Sequence, residues 1–299
     1  MTKKKSSDIV LPEQSYADLL ARCSTWSRAA CQPTAEKASH KTAGETWDAG
    51  IDFDKALQLL ARGWECGNVA VASAFDVQGA AESPTGGWDA DIAGSYLNVP
   101  AYVAGLPDCM MRRDPGEAPR RVRIVVSPSI NCGVNARQAI MYAEAVAAFA
   151  AGYVGQGLDV AITALHVVAD RKPTHFVTPI IVKDYGTELD ASRIAFCTHP
   201  AMLRRILFGF HELEPTAPAW VHSNGYGYPR FPDPSGDRLP EAVAKIRAWL
   251  PAECADERLI ILPNVENMGG NAMTRDGMLA TMIQEAERQG LNPGEAETP

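Results

Sequence analysis

No two of the seven cysteines, Cys23, Cys31, Cys66, Cys109, Cys132, Cys197 and Cys254, form a C-x-x-C pair. An odd number without paired spacing argues against a disulfide framework and predicts free thiols in a reducing compartment. No apolar run follows the basic start Met1-Thr2-Lys3-Lys4-Lys5, so no secretory leader is expected. The longest apolar stretch, Ala139 to Val154, is broken by Glu144 and rich in small residues. It suits a protein core better than lipid, and no membrane contact is expected. Basic charge is the minority: 28 Lys and Arg against 36 Asp and Glu leave a formal charge of -8. That argues against a general nucleic-acid coat, which displaces counterions with a basic surface. Also missing are H-E-x-x-H, G-x-S-x-G, a glycine-rich phosphate loop, internal repeats and heptads. No cofactor is expected.

What is present is ordinary globular material, 46% hydrophobic and 21% charged. The first half reads as helical and irregular. A helix is predicted from Pro12 to about Trp26, with Tyr16, Leu19, Leu20 and Cys23 on one face. Residues 32–46 read as loop. Phe53, Ala56, Leu57, Leu60 and Ala61 repeat at helical spacing behind an Asp52 cap, and Gly63 stops that helix. A strand is expected near 69–77, a loop over 78–91, and a short helix over 90–97 or 101–104. Residues 112–121 read as a linker, so the chain divides into an N-terminal region, 1–115, and an α/β domain, 116–299.

The second half is clearer. Val122, Ile124, Val125 and Val126 form a β-branched run typical of a strand buried on both faces. Asn135 and Gln138 have capping-box spacing ahead of a helix to about Val154. Residues 158–168 form the next strand, and this β-α-β unit predicts a parallel pair. Only residues 169–173 separate it from a third strand at 174–182. That is too short for a parallel crossover and predicts a hairpin. Asp190 caps one helix and Thr198 a second, whose inner stripe is Met202, Leu203, Ile206, Leu207 and Phe210. After a long loop over 214–238 come a helix at 240–250, a strand at 259–262 and a last helix at 274–289. The fold class is therefore α/β: a mostly parallel, Rossmann-like sheet with one antiparallel strand.

Ligands in such sheets bind beyond the carboxyl ends of the strands. That edge carries Ser127, Ser129 and Asn131 after the first strand, Asp170 after the second, and Asn264 and Glu266 after the fourth. The element order and this loop resemble a von Willebrand factor A-like domain, where an Asp-x-Ser-x-Ser loop holds magnesium. The matching positions read Ser127-Pro128-Ser129-Ile130-Asn131. Ser127 stands where the family has aspartate, and Asn131 where it has the last serine. The resemblance implies the fold with a degenerate metal site, because a hard divalent cation wants a carboxylate.

A second resemblance rests on Thr46-Trp47-Asp48-Ala49-Gly50, Leu60-Ala61-Arg62-Gly63-Trp64, Gly105-Leu106-Pro107-Asp108-Cys109-Met110 and His199-Pro200-Ala201-Met202-Leu203-Arg204-Arg205. These segments look like an uncharacterised family of tailed bacteriophages. They imply a viral protein in the cytoplasm of an infected bacterium.

The reading that follows is a non-enzymatic protein-binding module. Its contact surface would be Ser127, Ser129, Asn131 and Glu266, with Ile130 and Met268 as apolar anchors. Its partner would be an AAA-type ATPase, as members of the resembled family imply, or a host protein. One alternative is a nucleic-acid-associated protein that uses Arg112, Arg113, Arg120, Arg121 and Arg123 with the aromatics Tyr226 and Tyr228. Another is an enzyme of unrecognised type. A nucleic-acid binder should bring the arginines and aromatics onto one face. An enzyme should show a nucleophile and a base within hydrogen-bond reach.

Overall fold

The computed structural model describes residues 8–42, 44–65, 88–91, 96–97, 107, 109–113, 121–155, 158–170, 174–223, 225–269 and 274–291. Two short strands, β1 (Ile9–Val10) and β2 (Gln14–Ser15), lead into α1 (Tyr16–Ser24). The helix starts later than Pro12 because Gln14 and Ser15 pair with a distant strand. Ser15 then caps it: its hydroxyl accepts the Asp18 N–H at 3.1 Å, and the Asp18 carboxylate accepts the Ser15 N–H at 2.9 Å. A single turn, α2 (Glu45–Asp48), closes the segment predicted as loop, and α3 (Phe53–Arg62) follows behind the Asp52 cap. Gly63 ends α3 at φ 83°.

Three short strands, β3 (Trp88–Asp91), β4 (Tyr96–Leu97) and β5 (Met110–Arg113), form a small antiparallel sheet. The helix expected over 90–97 is corrected by these strands. Tyr96 and Leu97 pair with Met111 and Met110, so cross-strand partners override a weak helical pattern. Arg112 and Arg113 belong to β5 rather than to a linker. The strand expected at 69–77, the helix alternative at 101–104 and the domain boundary at 115–116 lie outside the described residues.

The main sheet follows the sequence pattern. β6 (Arg121–Val126) is succeeded by α4 (Ala136–Gly155), β7 (Asp159–Ala169) and β8 (His175–Lys183). Asn135 and Gln138 exchange the two bonds of a capping box, at 2.9 and 3.4 Å. β7 lies parallel to β6 and antiparallel to β8, as the connector lengths require. Next come α5 (Ala191–Cys197), capped by Asp190, then a π-helical stretch, Met202–Leu207, that runs into α6 (Phe208–Leu213). α7 (Ala219–Ser223), β9 (Tyr228–Pro229), α8 (Leu239–Trp249), β10 (Arg258–Ile261) and α9 (Arg275–Arg288) complete the order. The seven-stranded sheet runs β1-β8-β7-β6-β10, with β2 added to β8 and β9 to β7. It is parallel except where β7 meets β8 and β9. No helix among the described residues is long and apolar enough to cross a membrane.

The sheet is covered on both faces. α8 lies against Val125, Leu165, Val167 and Val177 on one side. On the other, α4, α5 and the 202–213 helix bury Val126, Ile162 and Ile180, and α1 and α3 join the same core through Leu19, Phe53 and Leu60. The expected inner stripe of Met202, Leu203, Ile206, Leu207 and Phe210 is buried. Thr198 was expected to cap this helix. Instead the His199 ring takes the capping role, its Nδ1 accepting the Ala201 N–H at 3.1 Å.

Candidate functional site

The π-helical stretch is buried on every side, so two consecutive arginines lie inside. Arg204 and Arg205 are 1% and 2% exposed, between the buried Met202, Leu203, Ile206 and Leu207. Arg205 donates to the carbonyls of Ile51, Ser39 and Lys41 at 2.9, 2.8 and 2.7 Å, and to the Asp48 carboxylate. Asp48 is held for this by the Gly44 and Gly50 N–H groups, at 2.9 and 3.1 Å. Arg204 donates to the carbonyls of Trp47 and, at 3.1 Å, Val134, and its guanidinium lies 3.7 Å from the centre of the Trp47 ring. Burial draws the Arg204 pKa down to about 10, with Asp48 working the other way, so it stays charged at neutral pH. Two of the four quoted sequence motifs, around Trp47 and around Arg204, are thus one packed unit.

That unit reaches the carboxyl edge of the sheet. Arg204 also approaches the Asn131 carbonyl at 3.5 Å, and the Asn131 N–H donates to Glu266. Trp47, Arg204, Asn131 and Glu266 are therefore linked contact by contact across one rim. Trp47 is 40% exposed, one of three large apolar side chains so placed among the described residues. Asn131, Cys132, Gly133 and Glu266 are exposed beside it. The Glu266 carboxyl lies against the loop; burial raises its pKa, opposed by the Asn131 N–H.

Four residues expected on this contact surface lie inside. Ser127 and Ser129 are 0% exposed, and Ile130 and Met268 4%. The correction has a physical reason: the serines serve the loop itself. Ser127 Oγ accepts the Ser129 N–H at 3.1 Å. Ser129 Oγ accepts the Val167 N–H at 3.2 Å and meets His166 Nδ1 at 2.6 Å. Asn264, from the end of β10, donates to the Ser129 carbonyl at 2.7 Å. Ile130 and Met268 join the main core.

The same geometry speaks to magnesium. The Ser129 hydroxyl points to a histidine, Asn131 Oδ1 accepts the Gly133 N–H at 3.0 Å, and one Glu266 oxygen is taken by backbone. These donors do not converge, and among the described residues no group of three His, Cys, Asp or Glu is placed to hold a metal. The residues present do not fit the ion that the resembled loop would carry.

Ser129 and His166 do meet the distance criterion for a nucleophile and base. The chemistry does not follow. Burial pushes the His166 pKa down to about 3, so the ring is a poor proton acceptor near neutrality. Both side chains are sealed, and two surface cavities, of about 610 and 400 Å³, lie elsewhere, around Leu11 and Pro12. Sequence reasoning missed His166 as part of this cluster. Its signal was a single ionisable residue in the apolar run 160–169.

The nucleic-acid alternative loses its members to the interior. Arg123 is 7% exposed, paired with Glu257 and bonded to Thr163 at 2.7 Å. Burial opposes its charge, but Glu257 outweighs that and raises its pKa. Tyr226 is 2% exposed and donates to Glu212. Arg121 is exposed but paired with Asp159, and Tyr228 is exposed. Arg120 lies outside the described residues, and Arg112 and Arg113 sit on the separate small sheet. Arg123 and Tyr226 therefore cannot share one open face with Arg121 and Tyr228.

The six described cysteines are unpaired, and Cys132 is exposed at the loop tip. A family model described as a domain of unknown function, DUF7192, matches residues 3–291. No curated protein and no solved structure matches the chain.

Proposed function

We propose that this chain, which belongs to the DUF7192 family over nearly its whole length, is a non-enzymatic module that offers the carboxyl edge of its sheet to a protein partner. The observation that carries this is Trp47. It leaves 40% of its surface in water while a buried guanidinium fixes its ring from below. An indole in water gains little stability from being fixed. As an anchor in an interface, a fixed aromatic loses little entropy on binding, and tryptophan and arginine are enriched among binding hot spots. Asn131 supplies donors and acceptors beside it, and Glu266 a carboxylate. The resemblance to a tailed-phage family supports a place in the cytoplasm of an infected bacterium. The von Willebrand A-like order supports an AAA-type ATPase, or a host protein, as the partner.

The test is capture from phage-infected bacteria with three baits: the native chain, Trp47→Ala and Asn131→Arg. Both positions are exposed, so the fold should persist in each. Loss of the same captured protein from both variants supports the edge as the contact surface. Unchanged capture by both, with intact circular dichroism, overturns it.

A further inference from the structure

Behind the partner-facing edge, the face of β7 and β8 covered by α6 carries two imidazoles in a place without counter-charge. His166 and Thr178 are cross-strand partners on β7 and β8. His211, from α6, meets the Thr178 hydroxyl through Nε2 at 3.0 Å, and its ring centre is 4.9 Å from that of His166. Both rings are buried, 1% and 0% exposed. Each has one nitrogen on a hydroxyl, Ser129 for His166 and Thr178 for His211. The other nitrogens, His166 Nε2 and His211 Nδ1, are buried without a hydrogen-bond partner.

We propose that His166 and His211 form an acid-sensitive latch, whose protonation frees α6, α7 and the 38–51 segment from the sheet. A proton on either ring would place a charge against the other imidazole in a core that offers hydroxyls only. The surrounding groups do not compensate. β7 contributes His166, α7 contributes His222, whose Nε2 meets the His211 carbonyl at 3.0 Å, and β8 contributes the neutral Thr178. α1 contributes Arg22, which donates to the Leu213 carbonyl at 2.7 Å. The neighbouring carboxylate, Glu212, is engaged elsewhere: it accepts from Trp26 Nε1 at 2.6 Å, from the Ser39 N–H at 3.0 Å and from Tyr226. Those bonds tie the N-terminal segment, with His40 stacked on Trp26, to α6. Movement of His211 therefore moves Glu212, and with it the segment that presents Trp47.

The direction of the pH effect follows. Burial holds His166 down to about 3, and burial with His166 and His222 holds His211 well below the usual value. Above about pH 6.5 the rings are neutral whether the latch is closed or open, and nothing is lost. Below it the open state takes up protons that the closed state refuses. At about pH 5 each histidine favours opening by up to about thirtyfold.

Hydrogen exchange read by mass spectrometry, corrected for intrinsic rates, tests this on the full chain. The native protein should lose protection over 202–223 and 38–51 between about pH 7 and about pH 5, by at least about tenfold, while α4 keeps its protection. His166→Asn with His211→Gln keeps one polar contact at each ring position and removes the proton sites; it should abolish the loss. An equal loss in this variant, or a loss in α4 of the same size, overturns the latch. If the double variant does not fold, the histidine side-chain NMR signals of the native chain decide. Titration in step with the loss of protection supports the latch, and titration near pH 6.5 with protection intact overturns it.

Discussion

The Asp48 carboxylate and the Arg205 guanidinium meet inside the protein at 0% and 2% exposure, 157 residues apart in sequence. The pair fastens the turn that carries Trp47 to the π-helical stretch. Removing one partner leaves an uncompensated buried charge, which costs about 3–5 kcal/mol. Asp48→Asn should therefore lower the unfolding free energy by that order, read from denaturant unfolding. Arg205→Met should lower it further, because the carbonyls of Ser39, Lys41 and Ile51 lose their donor as well. A loss under about 1 kcal/mol for Arg205→Met would show that the pair does not hold the segment.

Gly63 predicts a backbone effect. At φ 83° it ends α3 directly against the start of α5, and an added Cβ would lie 2.5 Å from Ser192 Cβ. The conformation itself costs a non-glycine residue about 1–3 kcal/mol. Gly63→Ala should lower the thermal midpoint, whereas Gly186→Ala, also at positive φ but in open space, should show the backbone cost without the clash and fall less. Equal losses would remove the close packing of α3 on α5 as the cause.

Asn135 should behave as a helix cap and nothing more. Its side chain accepts the Gln138 N–H at 2.9 Å in an exposed position. Asn135→Ala should cost about 0.5–2 kcal/mol of stability and leave partner binding unchanged. A loss of binding at constant stability would place Asn135 in the contact surface instead.

Magnesium titration addresses the edge loop directly. With Ser127 and Ser129 hydroxyls bonded inward, one Glu266 oxygen taken by the Asn131 N–H and no group of three His, Cys, Asp or Glu placed to hold a metal among the described residues, calorimetry should show no sub-millimolar magnesium or manganese binding. Sub-millimolar binding that is lost in Glu266→Gln would contradict the geometry.

Much of the scaffold was legible. The β-branched run at 122–126, the Asn135/Gln138 box and the five-residue connector before β8 each fix one decision by local chemistry, and the sheet order follows. What was not legible came from distant partners. Gln14 and Ser15 became strand only because β8 offers an open edge. Tyr96 and Leu97 became strand because Met110 and Met111 lie opposite. The site was read one layer too shallow. Ser127, Ser129, Ile130 and Met268 lie at the right edge but face inward, because a loop needs its own hydrogen bonds and apolar pins. The surface feature, Trp47, depends on Arg204. A one-sided stripe with two arginines on its outer side reads as solvated, and only distant partners, Trp47 and Val134 for Arg204 and Asp48 for Arg205, enclose them.

The most direct measurement of the partner surface is site-specific photo-crosslinking in infected bacteria. A photo-reactive phenylalanine analogue is placed at position 47, and in a control at position 245, on α8 over the other face of the sheet. If the carboxyl edge is the contact surface, position 47 crosslinks one discrete protein species. That species is absent from the position 245 control and is lost when Asn131→Arg is added. No crosslink from position 47, or the same species from both positions, would contradict it.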